Sequence, residues 1–393
     1  MASRRKADNL FRDMLDDDFI QVFHLNHIVQ RCLGFGRVNM KYNFVTEVST
    51  MSRLYASAII FLHSLSIVNV VINCETSLTT KFTNESLKLC LIFNGSITSI
   101  VIWRNNFSKG NANSMLYVKL QKLDRHLNMG DRRTSNRKIT LFSFITTILS
   151  VILGLVWILV LNLVSMKQFC PTTFFAIFPT FGIYAEMYLC IHIMLFLMKR
   201  VDFVNRWLQV LIQKKPKMPC NTSNSWFTSD FHVDDRQRID IILAMHYILD
   251  VVSDLVKLFQ FQIIGFIAMF ILWDFVTMWI FVNSIKEQTS IDVVTIITNV
   301  PITIAMPTVI VVACLVGGAL TNKLEKSRKL CINITSYCED KTRASAKQIL
   351  SLMTENKLDI SIYDIFNLNS RLPLELFVIT ANYAIVFLQF AML

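Results

Sequence analysis

The segment LPLELFVITANYAIVFLQFAML, residues 372–393, is an apolar run long enough to cross a bilayer as a helix. On a helix that advances ~100° per residue, Glu375, Asn382 and Gln389 return to nearly the same face because they are seven positions apart. A polar stripe along an apolar helix indicates a face turned toward protein or water. The pattern leaves two functions open, which are hydrogen bonding to a neighbouring helix and lining an aqueous path.

The composition of the whole chain is that of an integral membrane protein. Its 393 residues are 53% hydrophobic and only 17% charged, whereas about a quarter of the residues in a soluble protein are charged. Thirty Phe and ten Gly are typical of helices with bulky apolar surfaces, not of a glycine-rich nucleotide-binding enzyme. The nine cysteines form no CxxC or Cys/His cluster, and no catalytic motif is present. The sequence therefore predicts a protein that is not an enzyme and has no cofactor or metal.

Seven apolar segments predict an all-α, seven-transmembrane protein. Each is close to the ~20 residues that a helix needs to cross the bilayer core. They cover residues 54–73, 86–103, 139–165, 173–198, 259–283, 293–318 and 373–393. The second is the weakest prediction, because Asn94, Ser96, Thr98 and Ser99 make it more polar. Helical periodicity begins at Ile239, upstream of the fifth segment, so we expect that helix to extend beyond the membrane.

The basic residues predict how the chain crosses the membrane. Of the 39 lysines and arginines, all but Lys81, Lys88, Lys167 and Lys286 lie in four segments. These segments are residues 1–53, 104–138, 199–257 and 319–372. Because such residues concentrate on the cytoplasmic side, we expect the N-terminus inside and the C-terminus outside. This distribution also means that the net charge of +11 does not indicate nucleic-acid binding.

The same boundaries divide the chain into four parts. They are a cytoplasmic N-terminus (1–53), spans one to six (54–318) with cytoplasmic loops at 104–138 and 199–257, a cytoplasmic anchor segment (319–372) and the seventh span (373–393). Residues 19–33 predict an amphipathic helix that lies at the inner interface or packs under the bundle. Asn84 opens the sequence NES in the first outer segment and is a candidate glycosylation site.

Two acidic residues inside predicted spans are candidates for a ligand site, because ionisable groups are costly in a membrane. Glu186 lies in the fourth span, and Asp274 lies in the fifth between Trp273 and Phe275. An acid flanked by aromatic rings can bind a cationic or hydroxyl-rich ligand through charge, hydrogen bonds and stacking. We therefore predict Glu186, Trp273 and Asp274 as ligand-binding residues. The alternative is a buried acid that is bonded to another helix.

The end of the chain, NYAIVFLQF, resembles the TYxxxxxQF motif that ends insect gustatory receptors. Tyr383, Gln389 and Phe390 match the motif with its five-residue gap, and Asn382 stands where the family usually has Thr. The number of spans, the inverted topology, the long cytoplasmic extensions and the length are also similar to that family over the whole chain. Insect odorant receptors share the topology but normally lack this ending, so they are the nearest alternative.

The resemblance implies a multi-pass receptor in the plasma membrane of gustatory neurons. It implies a tastant-gated, non-selective cation channel that assembles as a homo- or hetero-tetramer with other gustatory receptors. In that family the seventh helices line a central pore, the cytoplasmic extensions form an anchor domain, and the permeant ions are monovalent and divalent cations. Gln389 and Phe390 match the gate positions, and Tyr383 matches the lower part of the same helix. Ala384 stands where sugar receptors carry Glu, which favours a bitter plant compound as the ligand.

In a tetramer, Glu375, Asn382 and Gln389 would form rings along one axis, and Phe390 would form an apolar constriction. Carboxylate rings favour cations, and apolar rings close a pore by dewetting. Two other classes of function stay open. A G-protein-coupled seven-helix receptor requires a cytoplasmic C-terminus. A secondary transporter predicts saturable uptake without a large ionic current.

Overall fold

The computed structural model shows a chain that is almost wholly α-helical. The residues described are 15–41, 44–73, 81–127, 137–148, 152, 154, 175, 178–213, 235–286, 293–338, 340–356 and 358–392. The α-helices are α1 (Asp17–Cys32), α2 (Thr50–Asn73), α3 (Lys81–Trp103), α4 (Gly110–Leu127), α5 (Thr180–Gln213), α6 (Asp235–Lys286), α7 (Val293–Tyr337), α8 (Asp340–Glu355) and α9 (Leu372–Met392).

Shorter elements connect these helices. A π-helical turn, Arg104–Ser108, joins α3 to α4, and residues 137–148 are also helical. Two small antiparallel hairpins complete the described elements. They pair β1 (Asn39–Lys41) with β2 (Phe44–Thr46), and β3 (Ser361–Ile362) with β4 (Phe366–Asn367). The second hairpin lies directly before α9, so it sets where the last helix begins.

Five of the described helices are long and apolar enough to cross a membrane. Their membrane-capable stretches are Thr50–Ile72, Thr180–Ile212, Ile241–Val282, Ile304–Tyr337 and Leu372–Gln389. They occupy the places of the first, fourth, fifth, sixth and seventh predicted spans, so the all-α membrane fold is confirmed. Helix α3 forms at the second predicted span but is not among the five. Most of the third predicted span lies outside the described residues.

Helix α6 is far longer than a bilayer is thick. Its 52 residues, at a rise of 1.5 Å each, give a length of about 78 Å, against about 30 Å for a bilayer core. It begins at Asp235, close to the point where the periodicity of the sequence begins. Helix α7 packs along α5, while α4 packs along α6 and α8 packs against both α6 and α7. The helices therefore pack as a bundle that is longer than a bilayer core is thick.

Charged side chains join the helices of this extended bundle. Lys119 of α4 lies 2.8 Å from Asp250 and 2.5 Å from Asp254, both on α6. Lys323 of α7 pairs with Asp202 of α5. All five side chains are partly exposed, and such pairs contribute only about 0–1 kcal/mol each. The apolar core, which includes Leu208, Ile241, Ile334 and Ile349, therefore contributes most of the stability here.

Helix α1 packs into the bundle. The rings of Phe19 and Phe23 lie 5.7 and 5.8 Å from the ring of Phe196 on α5. The Asn26 amide nitrogen lies 2.7 Å from Nδ1 of His192 on the same helix. The sequence left open a place at the inner interface or under the bundle, and these contacts with α5 show that the helix packs against the bundle.

Gly317 of α7 allows the loop before α9 to approach closely. A Cβ atom at position 317 would lie 2.8 Å from the backbone oxygen of Leu368, which cannot move without moving the loop. At the neighbouring Gly318, the nearest atom to such a Cβ would be the Ser370 nitrogen at 3.5 Å, which is an ordinary contact. A side chain therefore fits at position 318 but not at position 317 without movement of the loop.

We expect Gly317→Ala to lower the melting temperature of the solubilised protein, because overpacking of this kind costs about 1–3 kcal/mol. Gly318→Ala is the matched control and should be neutral or stabilising, since Ala is favoured over Gly in helices by about 1 kcal/mol. Fluorescence-detected size-exclusion after heating measures both variants. Equal melting temperatures for the two would contradict the close approach at Gly317.

Candidate ligand site and pore helix

Helix α9 carries the polar stripe and is the least covered of the five membrane-capable helices. Only 11% of its membrane-capable stretch is buried, against 33% to 72% for the other four. Glu375, Asn382 and Gln389 are all exposed. Many apolar side chains of the same helix are exposed too, namely Leu374, Phe377, Val378, Ile379, Ile385, Val386 and Leu388. A single subunit therefore leaves most of the surface of α9 available for other contacts.

A different side of α9 packs against α6. The ring of Phe275 on α6 lies 5.0 Å from that of Tyr383 and 6.1 Å from that of Phe387, nearly perpendicular to both. The Thr380 hydroxyl hydrogen-bonds the carboxylate of Asp274. On a helical wheel these α9 side chains lie roughly 100° to 160° from the stripe. Among the described residues, no side chain of a neighbouring helix is hydrogen-bonded to the stripe.

The other two residues predicted at the pore differ from the stripe. Tyr383 is 50% exposed, and its ring rests against α6. Phe390 lies in the last turn of α9, and its side chain is outside the described residues. Asn84, the candidate glycosylation site, lies in the first turn of α3, and its side chain is also outside the described residues. The roles of these three residues stay predictions.

Asp274 lies where α6 meets α9, and Trp273 directly precedes it on α6. Asp274 is 7% exposed, and its Oδ2 atom is buried without a hydrogen-bond partner. The indole Nε1 of Trp273 is also buried without a partner. Each unsatisfied buried polar atom costs about 1–3 kcal/mol, so a ligand that bonds them would recover that free energy. The two neighbours offer one hydrogen-bond acceptor and one donor.

Glu186 has a different environment, in which its carboxylate is fully bonded. Arg37 donates to Oε2 through Nε at 2.8 Å and through Nη2, and Gln30 donates to Oε1 at 3.0 Å. The same guanidinium donates to Asn113 at 2.9 Å and lies 4.0 Å from the centre of the Phe259 ring. This is the buried, bonded acid that the sequence left as the alternative. A ligand role for Glu186 stays a prediction without support from these contacts.

The three predicted ligand residues do not form one site. Arg37 places Glu186 beside Phe259 of α6, whereas Asp274 lies 15 positions further along the same helix. At 1.5 Å per residue this separates the two acids by roughly 20 Å. Asp274 and the adjacent Trp273 therefore remain as the candidate ligand site on α6, and Glu186 belongs to a buried polar network deeper in the bundle.

Two residues of these sites were not predicted from the sequence. Arg37 lies in the segment expected to be cytoplasmic, so nothing marked it as a partner for an acid inside the membrane. Thr380 lies on α9 in an apolar run and is too common a residue to stand out. The one signal available for Arg37 was the cost of burying an unpaired Glu186, which requires a cation somewhere in the fold.

Comparisons with known proteins agree with this architecture. The family described as 7tm Chemosensory receptor matches residues 23–393. A structure of the insect olfactory receptor OR5 from Machilis hrabei is similar at a TM-score of 0.69 and 13% identity. A structure of the same receptor in complex with eugenol is similar at 0.64 and 12%. Both likenesses cover 95% of this chain and 100% of the other. A comparison with curated protein sequences gives no match.

Proposed function

Because this chain belongs to the 7tm chemosensory receptor family, we propose that it is a gustatory receptor and a subunit of a tastant-gated, non-selective cation channel. The observation that carries the proposal is the exposure of α9. The polar stripe and most apolar side chains of α9 are uncovered in one subunit. A different side of α9, which includes Tyr383, packs against α6. An apolar helix that also presents a continuous polar face suits a position where neighbouring subunits meet around water.

The assembly proposed is a tetramer, homomeric or with sister subunits, in the plasma membrane of gustatory neurons. Four copies of α9 around one axis would turn the rings of Glu375, Asn382 and Gln389 toward the ion path. Phe390 would then form the apolar constriction, and Tyr383 would brace the helix against α6. The N-terminus lies inside and the C-terminus outside, so Glu375 lies near the inner mouth and Gln389 near the outer mouth. Monovalent and divalent cations would pass.

The ligand site proposed is Asp274, at the junction of α6 with α9, together with the adjacent Trp273 of α6. A ligand that bonds Asp274 Oδ2 would act on the same carboxylate that Thr380 of α9 contacts. Binding there would change how α6 holds the pore helix. A ligand opens the channel only if it binds the open state more tightly, and the usual coupling is about 1–3 kcal/mol. The chemistry of the site suits a cationic or hydroxyl-bearing bitter plant compound.

We expect Asp274→Asn to weaken the apparent affinity for a responsive ligand at least about tenfold, because it removes the charge and replaces one acceptor by a donor. The reversal potential should not change, since Asp274 lies outside the stripe. Dose–response curves under voltage clamp, with a panel of plant alkaloids and sugars, measure both quantities. Thr380→Val is the matched control, which removes the contact from α9 but keeps the carboxylate. It should alter the maximal current more than the affinity.

A changed reversal potential in Asp274→Asn with an unchanged affinity would place this residue in the ion path and overturn the assignment. The same recordings separate the channel from a transporter, which would show uptake without large current. A C-terminal epitope detected on intact cells would argue against a G-protein-coupled receptor.

A second candidate is a channel of the odorant-receptor type. The structural likeness to OR5, which was solved in complex with eugenol, favours it. The Tyr383, Gln389 and Phe390 ending favours the gustatory type. Recordings with volatile compounds and with alkaloids decide between the two types. An odorant-type channel should respond to the volatile compounds and not to the alkaloids, and a gustatory-type channel should show the reverse.

A further inference from the structure

A groove of about 580 Å³ lies between α2 and α3, on helices that do not carry the Asp274 site. Its walls are mostly apolar and include Val68, Ile72, Ile92 and Ile100, which are all exposed on the surface of the bundle. The side chains are small along part of α3, and Gly95 lies there. Since α2 can cross a membrane, a molecule dissolved in the bilayer has access to this groove.

Beneath Gly95 lies His63 of α2, which has one hydrogen-bonded nitrogen and one without a partner. Its Nδ1 atom lies 3.0 Å from the backbone oxygen of Phe175. Because a carbonyl oxygen only accepts, Nδ1 must carry the hydrogen. In the neutral ring Nε2 then has a free lone pair and can only accept a hydrogen bond. The His63 ring is fully buried, and Nε2 has no partner.

This acceptor lies close to the groove, because Gly95 has no side chain to cover it. The Cδ1 methyl group of Ile67 lies between them. A Cβ atom at position 95 would lie 3.5 Å from Nε2 of His63, and it would overlap the Cδ1 methyl of Ile67. Ile67 also lines the groove. A change of rotamer at Ile67 would open a path from the groove to Nε2, and such changes are fast compared with ligand binding.

We propose that this groove and His63 form a binding site for a neutral, lipophilic alcohol or phenol that enters from the bilayer. The apolar body lies against the isoleucine and valine walls, and the hydroxyl donates its hydrogen to Nε2. A cation would meet no counter-charge, and an ether or ester would bring only further acceptors. The hydroxyl group supplies the donor that Nε2 of His63 lacks.

The depth of His63 in the membrane selects the ligand further. His63 lies 13 positions after Thr50, where the membrane-capable stretch of α2 begins. This places it roughly 20 Å along the helix, well inside a core of about 30 Å. A membrane lipid keeps its polar group at the interface, so its hydroxyl would not reach this depth. The site therefore suits a small molecule that dissolves in the apolar interior.

The test measures binding of 4-propylphenol and of its methyl ether, 4-propylanisole, to the full chain in lipid nanodiscs. Equilibrium dialysis against empty nanodiscs of the same lipid removes the contribution of partition. We expect the phenol to bind at least about tenfold more tightly than the ether, the usual effect of one added hydrogen bond in an apolar site. No current is recorded, so the result does not depend on the proposed channel function.

Three variants locate the hydrogen bond. His63→Phe removes the acceptor, and Gly95→Ala fills the space above it while keeping the bond to Phe175. Both should lose the preference for the phenol, and Ser99→Ala, another position lining the groove, should keep it. Should His63→Phe fail to fold, Gly95→Ala still decides. A preference that survives Gly95→Ala, a preference lost in Ser99→Ala, or equal binding of the two probes to the unaltered chain would each overturn the proposal.

Discussion

Glu186→Leu should destabilise the folded protein by about 3–5 kcal/mol, enough to abolish a monodisperse peak in size-exclusion chromatography. Both side chains of the ion pair with Arg37 are buried in the bundle, with 2% and 0% of them exposed. Removal of the carboxylate leaves a buried guanidinium without its counter-charge. The cost of that unpaired charge exceeds the loss of the hydrogen bonds themselves.

Two further variants show whether the buried charge is the cause. Glu85→Leu makes the same substitution in the exposed pair of Glu85 with Lys88, which should change stability by less than about 1 kcal/mol. The double variant Arg37→Met with Glu186→Leu removes both charges. It should recover a large part of the melting temperature that Glu186→Leu loses. A double variant as unstable as the single one would mean that lost packing, not the unpaired charge, causes the effect.

Glu375→Lys should reduce the ligand-evoked cation current at least about tenfold, because in the proposed tetramer it replaces a ring of carboxylates at the inner mouth by a ring of ammonium groups. An added barrier of about 1.4 kcal/mol suffices for a tenfold effect. That is close to the repulsion of one pair of charges 4 Å apart in water. Glu375→Gln should give an intermediate current. The reversal potential should shift toward that of the anions in both variants.

Glu355→Lys is the matched control for charge reversal, since Glu355 is exposed on α8, outside the pore helix. Its current should equal that of the unaltered channel. Surface labelling confirms equal amounts of protein for each variant. Full current with an unshifted reversal potential in Glu375→Lys would remove Glu375 from the pore lining.

The sequence predicted those parts of the fold that local periodicity determines. The apolar run from Ile239 predicted a helix longer than the bilayer, and α6 is one. The seven-residue spacing in α9 predicted a polar face, and the three stripe residues are exposed together. These features depend on residues close together in the chain, and burial of an apolar face follows from them.

Contacts between distant segments could not be predicted in this way. Glu186 and Asp274 gave the same signal, an acid inside an apolar span, yet the structure separates them. Glu186 has a cation, Arg37, that comes from a segment 149 residues away, while the partner of Asp274 among the described residues is Thr380 of α9. The cost of burying an acid is visible in the sequence, but its partner depends on tertiary packing.

The place of α9 at the ion path is tested most directly by the access of a cationic thiol reagent to two adjacent positions. Gln389 lies on the stripe, and Leu388 is also exposed but lies about 100° away on the helix. Each of the two residues is replaced by Cys in a separate variant. The unaltered channel, treated with the same reagent, shows any effect of modifying the native cysteines. We predict that external reagent reduces the ligand-evoked current of Gln389→Cys and leaves that of Leu388→Cys unchanged. An unchanged current in Gln389→Cys, with loss of current in Leu388→Cys, would contradict the assignment of this face to the pore.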